Sequence, residues 1–266
     1  MKIPTKNKPY FENNRSVLFH GNCTDTDYFL NEFIDLTITS PPYNVGVKYN
    51  KYNDDLSIKE YLDFSKIWIK NCFNWTKDTG RLAINVPFEI RKNITFPIAP
   101  HLTMIAMEAG WGYYATIYWN KPSTANCIFG SFQSASCPMF ASSLEVILIF
   151  YKKDKKKITG SCISDISKND FINWTNSMWT FPGQSSVKIK HPAPYPVELP
   201  KRIMKLLSYE NDIIFDPFNG SGTTLIAAEN NNRAGIGMEI DKEYCELAKK
   251  RILRETDALD YVFNRG

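Results

Sequence analysis

The chain has 266 residues, 43% hydrophobic and 14% aromatic, which suits one large α/β domain with a full core and excludes a disordered chain. Its net charge of +4, from 32 Lys plus Arg against 28 Asp plus Glu, permits a nucleic-acid partner without demanding one. Six cysteines, at 23, 72, 127, 137, 162 and 245, form no C-x-x-C pair and have no histidine cluster beside them, which argues against a zinc site or disulfide framework and for reduced thiols in a cytoplasmic protein.

Residues 1–15 are polar and read as a loose arm. Met1–Asn7 lacks the apolar core of a signal peptide, and no stretch approaches the roughly 20 apolar residues of a membrane helix. Ser16–His20 reads as a first strand, ending at Gly21-Asn22-Cys23. Asp35-Leu36-Thr37-Ile38 is a short buried strand that runs into Thr39-Ser40-Pro41-Pro42-Tyr43-Asn44. Proline fixes φ and has no N–H, and Pro41 keeps Ser40 out of the helical region. The turn is therefore stiff, with proline carbonyls as acceptors and Tyr43 as a planar surface. A flat base with an exocyclic amine suits it: the amine donates to Ser40 Oγ and a proline carbonyl, and the ring stacks on Tyr43. The simpler alternative is a polar turn with one surface tyrosine.

Val45–Asp55 reads equally as a solvated loop or as a flap, hinged at Gly46, that orders over a ligand. Apolar spacing predicts a helix over 57–75 whose aromatics belong to the core. Arg81–Val86 is a third strand, and a helix over 98–109 is stopped by Gly110. Tyr113–Trp119 and Leu144–Tyr151 are β-rich. Between them, Asn120–Ser143 is long enough to be functional. Glu145 interrupts an apolar strand and reads as a locally satisfied carboxylate with no catalytic role.

Lys152–Lys157 holds five lysines in six positions, either a solvated turn or a phosphate-neutralising run. The stretch to about residue 190 is irregular. His191–Pro200 is punctuated by prolines and leads into a helix over about 197–208, with His191 as a hydrogen-bonding residue rather than an acid or base. Asp212–Phe215 is a buried strand feeding Asp216-Pro217-Phe218-Asn219-Gly220-Ser221-Gly222-Thr223-Thr224. Gly220 and Gly222 let the backbone pass close to a ligand, and the helix from about Thr223 points its N-terminus there. No Gly-Lys-Ser/Thr follows, which excludes a P-loop, and the third glycine of a dinucleotide fingerprint is missing. Ala234–Ile240 is the next strand. Its Glu239, 23 residues beyond Asp216 (239 − 216), sits where a nucleoside-binding α/β fold places a ribose-gripping carboxylate. Asp241 reads as the N-cap of the last helix.

Ser40-Pro41-Pro42-Tyr43 after an apolar strand resembles the catalytic motif of the amino-group DNA methyltransferases, which methylate cytosine N4 or adenine N6. Asp216–Thr224 resembles their S-adenosyl-L-methionine-binding motif. The resemblance spans about residues 16–255, and the motif order is that of the circularly permuted β group. Both the alternation of elements and the resemblance predict a doubly wound, mostly parallel, seven-stranded Rossmann-like sheet, with 113–119 and 144–151 as an antiparallel edge pair.

The resemblance implies catalytic roles for Ser40, Pro41, Pro42 and Tyr43. Ser40 Oγ and the Pro41 carbonyl would accept the amine, and Tyr43 would stack on the base with its phenol oxygen unneeded. It implies S-adenosyl-L-methionine contacts from Asn22, Cys23, Asp216, Phe218, Gly220, Ser221, Gly222, Thr223 and Glu239, and no metal. The family usually carries Gly-Asp where this chain has Gly21-Asn22, so Asn22 brings no charge. The resemblance also places Trp119–Pro122 beside the target base and the 191–200 segment along the methionine end of the cofactor. A target-recognition elaboration of the single domain is expected at about 120–143 and 152–190. The implied substrate is double-stranded DNA, and a homodimer and a separate restriction endonuclease are compatible with the family. Serine in the first motif position leans toward cytosine N4; adenine N6 is the close alternative. A non-catalytic nucleoside- or DNA-binding module is the alternative from another class.

Overall fold

The computed structural model describes residues 3–91, 94–122, 130–140, 144–157, 162–185, 189 and 191–256. In chain order the elements are β1 (Phe11–Glu12), β2 (Ser16–His20), β3 (Ile34–Thr39), α1 (Ile58–Trp75), β4 (Thr76–Pro87), β5 (Ile90–Arg91), β6 (Thr95–Phe96), α2 (Ile98–Glu108), β7 (Gly112–Asn120), β8 (Leu144–Tyr151), α3 (Lys168–Trp174), β9 (Met178–Thr180), α4 (Glu198–Leu207), β10 (Ile213–Asp216), α5 (Thr223–Glu229), β11 (Ala234–Glu239) and α6 (Lys242–Glu255).

One sheet runs β1-β2-β11-β10-β3-β4-β8-β7-β9. From β2 to β4 every pairing is parallel, whereas β8 is antiparallel to both β4 and β7. The seven predicted strands are all present. β1 and β9 add short edges, and β5 and β6 form a separate hairpin. The antiparallel pair near 113–119 and 144–151 is therefore not the edge itself, because β9 lies outside β7.

Side chains alternate between the two faces, as strand geometry requires. Leu82, Ile84 and Val86 of β4 join one core with Trp68 of α1 and Leu102 of α2. Ala83 faces a second core with Ile203 of α4 and Ala227 of α5. Leu18 of β2 meets Cys245 and Ala248 of α6. α1 begins on a capping box, in which Ser57 accepts from Glu60 N and Glu60 accepts from Ser57 N.

Two features of this topology place the site. β3 and β10 are parallel neighbours, with Ile214 opposite Leu36. Beyond their carboxyl ends the chain turns to α1 on one face and α5 on the other, so a crevice opens between the two turns. β4 and β8 are antiparallel, with Pro87 opposite Glu145 and Arg81 opposite Tyr151. Glu145 therefore lies at the crevice end of the sheet, and Lys152–Lys157 leaves from the other end, about 20 Å away for six residue steps of roughly 3.3 Å.

Candidate active site

The turn after β3 is braced from below. Tyr61 of α1 donates its hydroxyl to the Pro42 carbonyl at 2.7 Å. Thr39 Oγ1 donates to Asp216 Oδ1 at 2.7 Å and ties the turn to the end of β10.

A buried polar network stands behind Ser40. Ser40 Oγ and Tyr43 Oη are 2.7 Å apart. Tyr43 Oη donates to Glu145 Oε2 at 3.1 Å, and Asn85 Nδ2 donates to Tyr43 Oη at 2.9 Å and to Glu145 Oε2 at 2.6 Å. Lys121 Nζ forms an ion pair with the other Glu145 oxygen. A carboxylate only accepts, so the phenol proton is committed to Glu145 and the serine proton to Tyr43. Ser40 Oγ is thereby left with lone pairs facing the cleft. Burial, then the Glu145 charge, pushes the Tyr43 phenol well above its usual range, so it stays protonated. This bears on two sequence-based readings. The Tyr43 hydroxyl is the centre of the network rather than spare, and Glu145 belongs to the site's support.

The cleft encloses about 940 Å³, counting its open mouth. Asn22, Cys23, Ser40, Pro41, Pro42, Tyr43, Phe218, Gly220, Ser221, Thr223 and Glu239 all line it, so the structure brings both predicted motifs to one cavity. Asp216 and Gly222 do not form its walls. Asp216 is fully buried: besides Thr39 and the Phe218 N–H at 3.1 Å, it accepts from Thr224 Oγ1 at 2.7 Å and Tyr195 Oη at 3.0 Å. Burial pushes its carboxyl up against these four bonds. It fastens β3, β10, α5 and the segment after His191 together from behind the cleft. Gly222 has φ +83°, a backbone conformation that a side chain resists, and an added Cβ would stand 3.1 Å from Ala248. Arg251 of α6 then holds the turn, donating to the Ser221 carbonyl and to Ser221 Oγ, each at 2.8 Å.

Glu239 accepts from Gly220 N at 2.8 Å and Asp241 N at 2.9 Å. Burial raises its carboxyl to about 7 in spite of them. Asp241 caps α6 through Oδ1, 2.7 Å from Glu243 N, while its buried Oδ2 has no hydrogen-bond partner. Two acceptor carboxylates at the end of β11 suit the paired hydroxyls of a ribose. Phe218 lines the cavity, 5.9 Å from Phe64 and 5.3 Å from Trp68, and so gives an apolar wall for a purine. Phe64, which the sequence assigns to the core, lines this wall. Asn22 Oδ1 accepts from Thr24 N at 3.0 Å, so this side chain also shapes a turn beside the cleft. His191 also lines the cavity, and burial with the Arg251 charge lowers it to about 4, which leaves it neutral.

The stretch after Asn44 forms a flap over the cleft. Asp54 accepts from the N–H groups of Asn44 at 2.8 Å and of Val45 and Val47 at 3.0 Å. Tyr49, Lys51 and Tyr52 come down onto the cleft, and Asn50 Nδ2 reaches Glu243 of α6 at 3.1 Å. Among the described residues no group of His, Cys, Asp and Glu could hold a metal, no disulfide forms, and no helix is long and apolar enough to cross a membrane. Cys127 and parts of the 120–143 and 152–190 stretches lie outside the described residues.

The lysine run leaves the sheet at the end away from this cleft. Lys152 is buried, with Nζ 2.6 Å from Glu32 and 2.8 Å from the Thr76 carbonyl. Lys153 pairs with Asp78 and Lys157 with Asp212. The run folds back on the protein at the far end of the sheet.

The DNA methylase family model for N6 and N4 enzymes matches residues 34–250. This chain belongs to that family. Among its relatives is the type II methyltransferase M.MjaVI of Methanocaldococcus jannaschii, 42% identical over 160 residues, which cover 60% of this chain and 82% of the relative. The type II methyltransferase M.ScaI of Streptomyces caespitosus is 29% identical over 271 residues, covering 95% and 86%. Of solved structures, the Thermus thermophilus protein TTHA0409 complexed with S-adenosyl-L-methionine superposes with TM-score 0.73 at 26% identity, covering 90% of this chain and 94% of that one. The PvuII cytosine-N4-specific enzyme shares the fold, with TM-score 0.68 at 20% identity over 98% and 96%. As a member of the N6/N4 DNA methylases, the chain is an S-adenosyl-L-methionine-dependent DNA methyltransferase acting on cytosine N4 or adenine N6.

Proposed function

We propose that this methylase modifies cytosine N4 in double-stranded DNA, with the target base turned out of the duplex into the cleft. The observation that carries the reading is the direction of the network behind Ser40: its proton goes to Tyr43, so its oxygen faces the cleft as an acceptor. An exocyclic amine is a poor nucleophile because its lone pair is delocalised into the ring. Ser40 Oγ accepts one of its N–H bonds and the Pro41 carbonyl the other, which turns the nitrogen lone pair out of the ring plane. The Tyr43 ring replaces part of the lost base stacking, about 1–3 kcal/mol. S-adenosyl-L-methionine, gripped by Glu239 and Asp241 at the ribose and by the Phe218 wall at the adenine, supplies an electrophilic methyl. Much of the rate then comes from holding nitrogen and methyl in line.

Serine rather than aspartate at position 40 favours cytosine over adenine in this reading. Target recognition falls to the 120–143 stretch, whose Lys121 stands beside the network, and to the 152–190 stretch that carries β9. The cellular setting is cytoplasmic, with a separately acting endonuclease as companion, in keeping with the type II designation of the relatives. The deciding experiment is methylation of DNA followed by complete digestion and mass spectrometry of the nucleosides. N4-methylcytosine is the expected product. N6-methyladenine would move the substrate to adenine, and cofactor binding with neither product would leave a binding module.

A further inference from the structure

As an exocyclic amine takes a methyl group, its nitrogen gains positive charge and carries one proton too many, and that proton needs an acceptor. His191 is the histidine on the cleft wall, but it stands with Tyr244 beside the glycine turn, its ring 4.7 Å from the Tyr244 ring. The Ser40 side offers a continuous line of oxygens instead: Ser40 Oγ, Tyr43 Oη at 2.7 Å, and Glu145 Oε2 a further 3.1 Å on.

We propose that Ser40, Tyr43 and Glu145 form a proton relay, with Glu145 as the positioning residue that polarises Ser40 and finally holds the proton released by the methylated amine. The balance is simple. The N–H bond breaks toward Ser40 Oγ in the same step in which the nitrogen gains the methyl, as the serine proton passes to Tyr43 Oη and the phenol proton passes to Glu145 Oε2. The product is a neutral secondary amine, both hydroxyls are restored, and Glu145 becomes a carboxylic acid. No redox change occurs. The step runs downhill, because an amine conjugated to a ring is a weak base and a carboxylate a stronger one.

The local arrangement serves this role. Asn85 Nδ2 holds Tyr43 Oη and Glu145 Oε2 together, and its own Oδ1 has no partner, so the amide is oriented by the relay rather than by other bonds. Lys121 pairs with Glu145 as a carboxylate, the form that accepts a proton. When Glu145 takes the proton this ion pair is discharged, and Lys121 is the first residue beyond the Trp119-Asn120 end of β7. Glu145 itself is 8% exposed, so the relay does not lose its proton to bulk water at every step. The phenol stays protonated throughout, since each proton it receives is matched by one it gives.

The inference rests on Ser40 as the amine acceptor, and Ser40→Ala separates the two claims. Full transfer by Ser40→Ala would overturn the acceptor assignment itself. Given a slow Ser40→Ala, Glu145→Gln should keep S-adenosyl-L-methionine affinity within twofold and slow single-turnover methylation roughly 10- to 150-fold, the worth of a bond to a charged group. Tyr43→Phe should do the same, and the double variant should be no slower than the worse single one, because both break one chain. In mixtures of light and heavy water, the wild-type rate should bow downward, as several protons moving together require, and each variant should return to a straight line. One further readout needs no turnover. In ligand-free, tyrosine-labelled protein the Tyr43 Oη proton should give a slowly exchanging magnetic resonance, which Glu145→Gln shifts and speeds in exchange. A wild-type rate in Glu145→Gln, additive losses in the double variant, or an unchanged Tyr43 proton resonance would each overturn the relay.

Discussion

Glu239 shows how much chemistry a single carboxylate can carry in this fold. Its folded value of about 7 stands above the ordinary 4.5, because burial outweighs two backbone N–H bonds. The sign follows. Between about pH 4.5 and 7 the folded protein binds more protons at this site than the unfolded chain, so the site's contribution to stability falls as pH rises through that window. The loss is about 3 kcal/mol by pH 8. Ribose hydroxyls donating to the carboxylate, as proposed, would reverse the trend by favouring the ionised form. Adenosine, which has the ribose but no amine titrating near neutrality, should therefore release protons on binding at pH 7. Calorimetry in buffers of different ionisation enthalpy measures that release, and a heat independent of buffer would remove Glu239 from the ribose.

The spacing from Asp216 made Glu239 legible in the sequence, whereas Glu145 looked like a lone carboxylate in an apolar strand. Its partners Tyr43 and Asn85 are 102 and 60 residues away, and only strand register brings them together. Asp216 errs the other way. It opens the cofactor motif, yet its four bonds are all spent on the protein.

At the scale of elements, the flap between Asn44 and Leu56 is tied at its two ends. Asn44 sits at φ 58°, exchanging bonds with Leu56 at 3.0 and 2.8 Å, and Asp54 gathers three N–H groups. Composition left a loop and a flap equally open, because Val45–Asp55 has no periodicity and its order comes from contacts across the turn, among them the Asp54 carboxylate and a bridge between Lys48 and Asn53. Helices were easier to see, since capping residues and apolar spacing lie within a few positions of one another; α1 begins within a residue of its expected start. Asp54→Ala leaves three backbone donors without an acceptor. It should raise amide hydrogen exchange over residues 44–56 and weaken S-adenosyl-L-methionine binding about tenfold, while the remaining core keeps its protection. Unchanged exchange across the flap would show that Tyr49 and Tyr52 hold it without Asp54.

At the scale of the molecule, charge is spread so that the lysine run stands at the opposite end of the sheet from Ser40. A duplex docked on the cleft would lie at the other end of the sheet from the run. Replacing Lys155 and Lys156 with Gln should therefore leave the salt dependence of DNA binding unaltered. A shift of about 0.9 in slope for each lost contact would instead reveal a phosphate there. The run reads as cationic in sequence because its partners Glu32, Asp78 and Asp212 come from three separate parts of the chain.

The order of the strands also sets a timetable for synthesis. β2 and β3 are made early, yet two strands, β11 and β10, must lie between them, and the first of those to emerge begins 174 residues after β3 ends (213 − 39). At about 5–20 residues per second, the ribosome leaves that gap open for roughly 9–35 s. During that interval the edges of β2 and β3 that later face β11 and β10 are unpaired, each flanked by apolar side chains. Strand edges of this kind recruit other chains, so the nascent protein should depend on chaperones until its last quarter emerges and closes the middle of the sheet.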